Sequence, residues 1–388
     1  IILWTQQDIE DFGANNYSGM TGRLAISNGD NTIVDLTSLS SLTIVGSLYI
    51  SAHTQLESLD GLQNVTGPIK IWLQNNSSLT DITALNSITG PVSHLEIWNN
   101  SSLTNLEGLN NINLDIEPSS LKIDSNAELV DISALSSITA VKGTLDLKNN
   151  NKLTNLEGLH NIESIDFLNI HSNPELTTIL GLRGLNSIGY GIQIRNNPKL
   201  INLEGLQNLN SSVQQMAIMD NAVLNNIDGV RNITSINEFL ILENNDMLPD
   251  LTALTNVDLN AVSLSITDNN SLNNMSGLEG INALEGRLYL ARNENLVSFS
   301  GLDNLSSVGG DFIVQNNMSL NNIESLQNLT LVSNDIVFKF NDSLTDLTGL
   351  DALNSIGANL DISNNNLLVS LSGLESIIAV PKQLRINS

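Results

Sequence analysis

Four histidines are the side chains in this sequence best suited to acid–base or metal chemistry at neutral pH. They are His53, His94, His160 and His171. None stands in a recognisable arrangement with a Ser nucleophile, and the 388-residue chain contains no cysteine. No phosphate-binding loop, zinc-ligand spacing or EF-hand loop occurs in the sequence. The sequence therefore predicts no catalytic residues and a protein that is not an enzyme.

Acidic residues recur beside a small residue in the predicted turns. They alternate with Ser and Thr, which is the usual preference at turn caps. Because Ca²⁺ takes clustered carboxylate and carbonyl oxygens, calcium binding stays open, but we assign no metal ligand and no cofactor. The carboxylates are those of Asp60, Glu107, Glu157, Glu204, Asp228 and Glu324.

One repeat must position all of these residues. The segment 95–112, LEIWNNSSLTNLEGLNNI, gives the pattern L-x-I-x-x-N-x-x-L-x-x-L-x-G-L-x-x-I, and its copies start from Leu24 to Leu384 at a mean spacing of 24 residues. A period in the twenties with Leu or Ile at fixed offsets is typical of a solenoid, whose units bury their apolar faces by stacking. We predict about 15 coils, with residues 24–388 forming one elongated domain.

Each coil is predicted to open with a strand of alternating apolar and polar residues, and these strands stack into one long parallel sheet. An Asn follows the strand, as at Asn197 and Asn221. Asn tolerates left-handed backbone and bonds turn groups, so we predict a buried Asn ladder. Apolar residues at every third position in the second half predict 3₁₀-like turns or a short second strand. A small residue such as Gly108 lets neighbouring turns approach.

The two ends of the chain differ from the repeat. Residues 1–23 contain a helix start, with Thr5 as the cap and Asp8 in the first turn, and we predict an N-terminal helical cap. Residues 384–388 begin a sixteenth strand that has no cap after it. Since a bare strand edge invites pairing, we expect further sequence or a partner docked end-on.

The repeat resembles the leucine-rich repeat superfamily, and within it the receptor L-domain type found in bacterial surface proteins. The residues that carry the resemblance are LTTILGLRGLNSIG at 176–189, LTDLTGLDALNSIG at 344–357 and their equivalents. The resemblance implies a right-handed, β-helix-like, all-β solenoid that binds partners on its exposed strand face. Receptor L domains are shorter than this chain and are capped by cysteines, so we do not assign it a hormone-receptor role. No binding residue of the family is assigned to a position of this sequence either.

Outward strand positions are more informative because the core does not dictate them. Tyr49 and Trp72 are predicted neighbours in one column, and Trp98 lies diagonal to Trp72. Such a cluster is either a shield for the N-terminal coils or a site, as a hot spot for a protein or a stacking platform for sugar rings.

A second outward group is apolar. It begins at Ala217 and continues along the same column. Exposed apolar stripes of this extent more often mark an interface than not. The members that we assign to partner binding are Ile241, Tyr289, Ile313 and Val337.

Charge and hydropathy exclude several partners. The chain has 15 Lys and Arg against 41 Asp and Glu, a formal charge of −26. A field of this sign repels phosphate backbones, which argues against nucleic acid. No apolar run reaches the ~18 residues of a membrane span. Sequons at Asn64, Asn232 and Asn304 arise by chance in so Asn-rich a chain, so a bacterial origin is favoured.

The function predicted from the sequence is recognition without catalysis. We expect a secreted or cell-surface adhesion protein of bacterial type that binds a protein or carbohydrate ligand through its strand face. The alternative is a passive spacer or stalk that displays another domain. Ice binding is disfavoured because it needs a regular Thr array, and the outward columns contain only Thr267.

Overall fold

The computed structural model describes residues 1–27, 31–67 and 69–387. Ser388, which belongs to the predicted last strand, lies outside the described residues. The chain forms two compact units, Ile1–Gly189 and Tyr190–Ser388. Within each unit, successive coils pair through parallel strands. The predicted all-β solenoid with a parallel sheet is therefore confirmed, while the assignment of residues 24–388 to one domain stays a prediction.

The first unit carries the only α-helix among the described residues, α1 (Gln6–Ala14). Its strands each pair in parallel with the next along the chain. Short 3₁₀ segments follow the strands at Thr37–Leu39, Thr83–Ser87, Ser133–Ser137 and Leu180–Leu182. The strands are β1 (Ile2–Leu3), β2 (Gly19–Ser27), β3 (Ile44–Ser51), β4 (Lys70–Gln74), β5 (His94–Trp98), β6 (Ser120–Asp124), β7 (Ala140–Lys148) and β8 (Ser164–His171).

The second unit repeats this plan and adds a four-stranded parallel sheet at a corner of the coils. Its 3₁₀ segments are Asp228–Val230, Thr252–Leu254 and Glu324–Leu326, so both forms predicted for the second half of a coil occur. The main strands are β9 (Ser187–Arg195), which begins in the last residues of the first unit, β10 (Val213–Met219), β11 (Ile236–Glu243), β12 (Ser263–Thr267), β14 (Leu288–Ala291), β16 (Phe312–Gln315), β18 (Ile336–Lys339), β20 (Leu360–Ser363) and β21 (Leu384–Asn387). The corner strands are β13 (Ala283–Leu284), β15 (Ser307–Val308), β17 (Leu331–Val332) and β19 (Ser355–Ile356).

The apolar pattern of the sequence becomes the core. In the coil that starts at Leu145, Leu145 and Leu147 point inward from β7 and are fully buried. Leu153, Leu156 and Leu159 follow at the three-residue spacing and are fully buried as well. Burying a leucine side chain stabilises the fold by about 1.5–3 kcal/mol, and each coil repeats the same set.

The predicted Asn ladder is confirmed. Asn221 accepts from the backbone N–H of Asn197 at 3.1 Å through its Oδ1, and its Nδ2 donates to the carbonyl of Ile194 at 3.0 Å. Its own N–H donates to Asn245 Oδ1 at 3.3 Å. One amide thus contacts three successive coils and pairs backbone groups that the sheet leaves over. The buried members are Asn76, Asn100, Asn126, Asn150 and Asn173 in the first unit and Asn197, Asn221, Asn245, Asn269, Asn293, Asn317, Asn341 and Asn365 in the second.

The left-handed residue of each turn is not the ladder Asn, as the sequence suggested, but the residue before it. Ser125, Arg292 and Phe340 occupy this position with φ of 57°, 54° and 55°. A non-glycine residue in this region costs roughly 1–3 kcal/mol. The chain tolerates this cost because the ladder amide that follows is held by several hydrogen bonds, which fix the turn.

A second, external row of Asn side chains also joins the coils. In the first unit, Asn64 Nδ2 donates to the carbonyl of Ser40 at 2.9 Å. In the second unit, Asn232 donates to Gln207 at 2.7 Å and Asn304 to Glu279 at 2.8 Å. These three Asn residues begin sequons, and each uses the amide nitrogen that a glycan would need.

The requirement for a small residue at one position of each coil is steric. Gly108 has φ of +110°, and a Cβ there would lie 2.1 Å from the carbonyl oxygen of Ile82 in the preceding coil. The same clash is found for Gly158 against Ile132. In the coils that contain Ala84 and Ala134, the turn is a 3₁₀ helix instead, and it leaves room for a methyl group.

The predicted helix start at Thr5 is confirmed. Thr5 Oγ1 accepts from the N–H of Asp8 at 3.1 Å, and the Asp8 carboxylate accepts from the N–H of Thr5 at 3.0 Å, which completes a capping box. The side chain of Gln6 joins α1 to the first coil, accepting from the N–H groups of Val34 and Asp35. The helix is therefore tied to the first coil by polar contacts as well as by the fully buried Ile9.

Replacing a ladder amide should destabilise the second unit strongly. In Asn221→Leu, the N–H of Asn197 and the carbonyl of Ile194 lose the hydrogen bonds that they make with the Asn221 side chain, at about 1–3 kcal/mol for each buried group. Asn225→Leu is the matched control, because the same substitution falls on an exposed side chain of the same coil. We expect the urea midpoint to fall for the first variant only. Equal midpoints for the two variants would contradict a structural role for the ladder.

His53 takes the place of Asn at the start of the ladder. It is fully buried, its N–H donates to Asn76 Oδ1 at 3.2 Å, and its Nε2 lies 3.1 Å from the carbonyl oxygen of Ile26. Because a carbonyl only accepts, Nε2 carries the hydrogen. Nδ1 then has no partner among the described residues. Burial lowers the pKa of His53, although the Ile26 carbonyl opposes the shift.

This lowered pKa predicts a loss of stability in mild acid. The folded protein keeps His53 neutral while the unfolded chain takes up a proton below about pH 6.5, so the stabilisation present above that pH is lost as the pH falls. His53→Asn supplies the usual ladder amide and should remove this component. We expect the urea midpoint of the unsubstituted protein to fall more steeply than that of the variant between pH 7 and pH 5. Parallel pH profiles would show that His53 is not the group responsible.

Candidate binding face

Strand alternation places three aromatic side chains outward from the first unit. Tyr49 lies opposite Trp72 in the β3–β4 register, and Gln74 lies opposite Trp98 in the β4–β5 register. The predicted adjacency of Tyr49 and Trp72 and the diagonal position of Trp98 are thus found in the structure. All three side chains are half-buried. We call Tyr49, Trp72 and Trp98 the aromatic patch.

The rings of this face make direct contacts. The centroids of Tyr49 and Trp72 are 6.2 Å apart at an interplanar angle of 66°, an edge-to-face arrangement. Trp72 also lies 6.4 Å from His94, with the planes at 37°. His94 was not predicted as a neighbour of Trp72, because only the outward positions after the first Leu or Ile of each strand were considered. The position just before that residue also faces outward, and reading its column would have found His94.

Each ring of the patch has a cation over it. The guanidinium carbon of Arg23 lies 5.8 Å from the centroid of Tyr49, and Lys70 Nζ lies 5.5 Å from that of Trp72. Lys122 Nζ lies 5.6 Å from the centroid of Trp98. Cation–π pairs at exposed sites contribute about 0.5–1 kcal/mol. The patch is therefore a set of ring and cation pairs, one for each of three successive strands.

The ion pairs of this face are unevenly distributed. Among the described residues, Asp124 contacts Lys122 at 3.6 Å and Lys148 at 3.7 Å, and Lys148 also contacts Asp146 at 3.1 Å. Neither Arg23 nor Lys70 has a carboxylate at ion-pair distance within the described part of the chain. The cations over Tyr49 and Trp72 thus stay available to an anion from outside.

Two titratable groups of this face are shifted. Burial raises the pKa of Asp124, but hydrogen bonds from Asn149 and Ser125 and the charges of Lys148 and Lys122 outweigh it and hold the pKa below its usual value. Burial lowers the pKa of His94, and Lys70 lowers it further against an opposing effect of Glu96. At neutral pH, His94 is therefore an uncharged ring beside Trp72.

The second unit carries the other predicted group, Ile241, Tyr289, Ile313 and Val337, which we call the apolar stripe. Its members are half-buried, and Tyr289, Ile313 and Val337 are consecutive across β14, β16 and β18. Ser265 separates Ile241 from Tyr289 and is itself buried.

Two corrections apply to this stripe. Ala217 was expected at its beginning, but only 5% of Ala217 is exposed, because the longer outward side chains beside it cover so short a residue. The stripe is also less apolar than the sequence suggested. The Tyr289 hydroxyl accepts from Gln315 Nε2 at 2.7 Å, and the guanidinium carbon of Arg287 lies 5.7 Å from its ring.

Several groups that could have served chemistry take part in structural contacts. The backbone N–H of Glu107 donates to Asn105 Oδ1 within a turn, and the Glu157 carboxylate forms an ion pair with Arg183 at 2.8 Å. His53 belongs to the ladder, and His160 lies 3.8 Å from Glu157. Over residues 1–27, 31–67 and 69–387, no group of three His, Asp or Glu side chains is arranged to hold a metal ion.

A cavity of about 570 Å³ lies in the N-terminal segment, away from the aromatic patch. Leu3, Phe12 and Met20 line it together with Asp8 and Asp11. Asp8 is already used in the capping box of α1, where hydrogen bonds from Trp4 and Thr5 hold its pKa below the usual value despite desolvation. The cavity therefore offers an apolar recess without a free catalytic pair. Within the described residues, no helix is long and apolar enough to cross a bilayer.

Short coils, parallel strands, 3₁₀ turns and a ladder of buried Asn residues decide the fold. It is a leucine-rich-repeat-type solenoid. No family model matches the sequence, and a search of curated proteins found no match. Among solved structures, a crystal structure of TLR13 in complex with ssRNA13 is similar at 15% identity over 90% of this chain and 78% of that chain, with a TM-score of 0.20. The crystal structure of a leucine-rich repeat protein from Bacteroides ovatus ATCC 8483 is similar at 12% identity over 93% of this chain and 87% of that chain, and its TM-score is also 0.20. At these scores, no feature of either protein transfers to the leucine-rich-repeat coils of this chain.

The charge network beside Trp98 gives a testable pKa. Lys148→Gln removes one of the two ammonium groups that hold down the pKa of Asp124, so this pKa should rise. Lys152→Gln is the control, because Lys152 pairs with Glu128 instead. An NMR titration of the Asp124 carboxyl carbon measures both variants. An unchanged pKa in Lys148→Gln would show that Lys148 does not contribute and would leave the shift to the hydrogen bonds of Asn149 and Ser125 and to the charge of Lys122.

Proposed function

We propose that this chain is a recognition protein without catalytic activity, which binds a protein or a glycan through its exposed strand faces. The observation that carries the proposal is the aromatic patch. In a chain with only 4% aromatic residues, three rings from three successive strands share one half-exposed face and each has a cation over it. The core does not require aromatic residues there, since outward positions of other coils carry charged, polar or aliphatic residues, such as Lys122, Asp146 and Ile241.

The physical chemistry of the patch supports binding. Trp and Tyr supply large contact areas with little loss of side-chain freedom, and such residues dominate hot spots. The face of an aromatic ring also packs against the apolar C–H face of a sugar. The apolar stripe of the second unit is a further candidate contact, and its character suits a protein partner. We place the protein outside the cell or on the cell surface, because its repeat resembles that of bacterial surface proteins.

A passive spacer is the second candidate. A solenoid can hold another domain at a distance without binding anything through its strands, and stacked coils alone would serve that role. In that case the rings and cations of the first unit would only shield the coils beneath them. The two candidates differ in the effect expected from removing the rings, because a spacer keeps its function as long as the coils remain folded.

The test compares Trp72→Ala combined with Trp98→Ala against Trp4→Ala. Trp4 is 47% exposed and lies in the N-terminal segment outside the patch, so it controls for the loss of an exposed indole. A glycan array and a pull-down from a cell-surface extract provide the readout. We expect the double variant to lose about 2 kcal/mol or more of binding free energy with its circular dichroism unchanged. Binding that survives the double substitution would favour the spacer.

A further inference from the structure

The aromatic patch is surrounded by cations although the chain as a whole is strongly acidic. Acidic residues outnumber basic ones by 41 to 15, yet each of the three rings has a cation within 6 Å of its centroid. Arg23 and Lys70 have no carboxylate partner among the described residues. A half-exposed ring with an unpaired cation over it presents an apolar surface and a positive charge side by side. The complementary ligand has an apolar ring face with a negative charge at its edge.

The spacing of the patch adds a second constraint. Tyr49 and Trp72 come from adjacent strands, which lie ~4.8 Å apart, and their centroids are 6.2 Å apart. This repeat is close to the length of one sugar ring along a linear polysaccharide. Two consecutive units of such a polymer can therefore meet two consecutive ring and cation pairs without bending the polymer.

From this arrangement we propose that the aromatic patch binds a linear glycan whose sugars carry carboxylates, a polyuronate. Tyr49 and Trp72 contact the C–H faces of the sugars, and Arg23 and Lys70 pair with the carboxylates. Trp98 with Lys122 extends the platform by one strand. This inference depends on the proposed function and narrows its partner to one chemical class.

A protein ligand fits this patch less well. The centres of protein interfaces are depleted in Lys, Asp and Glu. Here Lys70 and Lys122 lie over the rings themselves, and Glu96 is the register partner of both Trp72 and Lys122. A protein would have to desolvate these charges at the centre of its contact, whereas a carboxylate-bearing sugar pairs with the cations and leaves the carboxylate of Glu96 accessible to sugar hydroxyls.

Single-stranded nucleic acid also combines rings with negative charge, but its geometry differs. A ribose separates each phosphate from its base, so proteins that bind single strands use a continuous basic groove beside their aromatic residues. In this patch the cations lie over the rings, and Lys122 is paired with Asp124, as the nearby Lys148 is with Asp124 and Asp146. In a uronate the carboxylate is bonded directly to the sugar ring, which matches the close placement of ring and cation.

The experiment uses three polymers and three charge variants of the full chain. Polygalacturonate is the probe. Its fully methyl-esterified form has the same backbone without the charge, and poly(U) RNA tests single-stranded nucleic acid as the alternative ligand. Lys70→Gln and Arg23→Gln each remove one unpaired cation of the patch. Lys152→Gln is the matched control, since it removes an exposed cation that pairs with Glu128 outside the strand. Isothermal titration at two salt concentrations measures the affinities.

We expect polygalacturonate to bind more tightly than its methyl ester and the affinity to fall with added salt. Lys70→Gln and Arg23→Gln should each weaken this binding about tenfold, as loss of a charge-assisted contact does, with Lys152→Gln unchanged. Equal affinity for the ester, preferential binding of poly(U), or equal losses in the patch and control variants would each overturn the polyuronate assignment. If none of the polymers binds while the Trp72→Ala, Trp98→Ala variant still loses its surface-extract partner, the glycan inference fails and the proposed function stands. If that variant loses nothing either, both fail.

Discussion

The row of buried amides that follow the strands of the main sheet is the interaction on which the rest of the structure depends. At the point where a strand turns, backbone N–H and C=O groups face the interior and have no partner in the sheet, and an unpaired buried group of this kind is costly. An Asn side chain has both a donor and an acceptor, so one residue in each coil can pair with the coils before and after it. Asn100 does this in the first unit through Leu73 and Asn126, as Asn293 does in the second through Ile266 and Asn317. These bonds fix the phase of each coil against its neighbours.

Because each coil is held at a fixed rotation relative to the next, the outward side chains of the binding face are regularly arranged. Because the register is constant, residues one repeat apart stand directly opposite each other, and the outward side chains form rows that cross the coils. The core dictates every inward position, so variation is confined to the outward ones. The first unit uses this freedom to place rings beside cations, whereas the second places aliphatic residues beside one tyrosine. A scaffold that is uniform inside thus presents two surfaces of different chemistry.

Much of this follows from the sequence, because the repeat is regular. The succession of parallel strands, the buried amide and the neighbouring positions of Tyr49 and Trp72 could be predicted, since each needs only the period and the alternation of a strand. The left-handed residue was predicted one position too late, because most coils have Asn or Asp at that position and Asn at the next, and both types tolerate the left-handed region. The burial of Ala217 depends on the size of its neighbours, and the cations over the rings depend on side-chain directions that the period does not contain.

The close contact of Gly108 with the carbonyl of Ile82 has a consequence for how such a chain changes in length. No residue can be added inside the turn without breaking that contact. The coil from Leu95 to Leu121 is two residues longer than the mean of 24, and its extra residues fall in 113–120, the segment that leads from the turn into β6. Lengthening by whole repeats disturbs nothing, because a new coil offers its neighbours the surfaces that they already contact. Within one unit, the separation of two outward groups therefore changes only in steps of ~4.8 Å. Such a protein can therefore be adapted to a longer or shorter partner only by the gain or loss of whole coils.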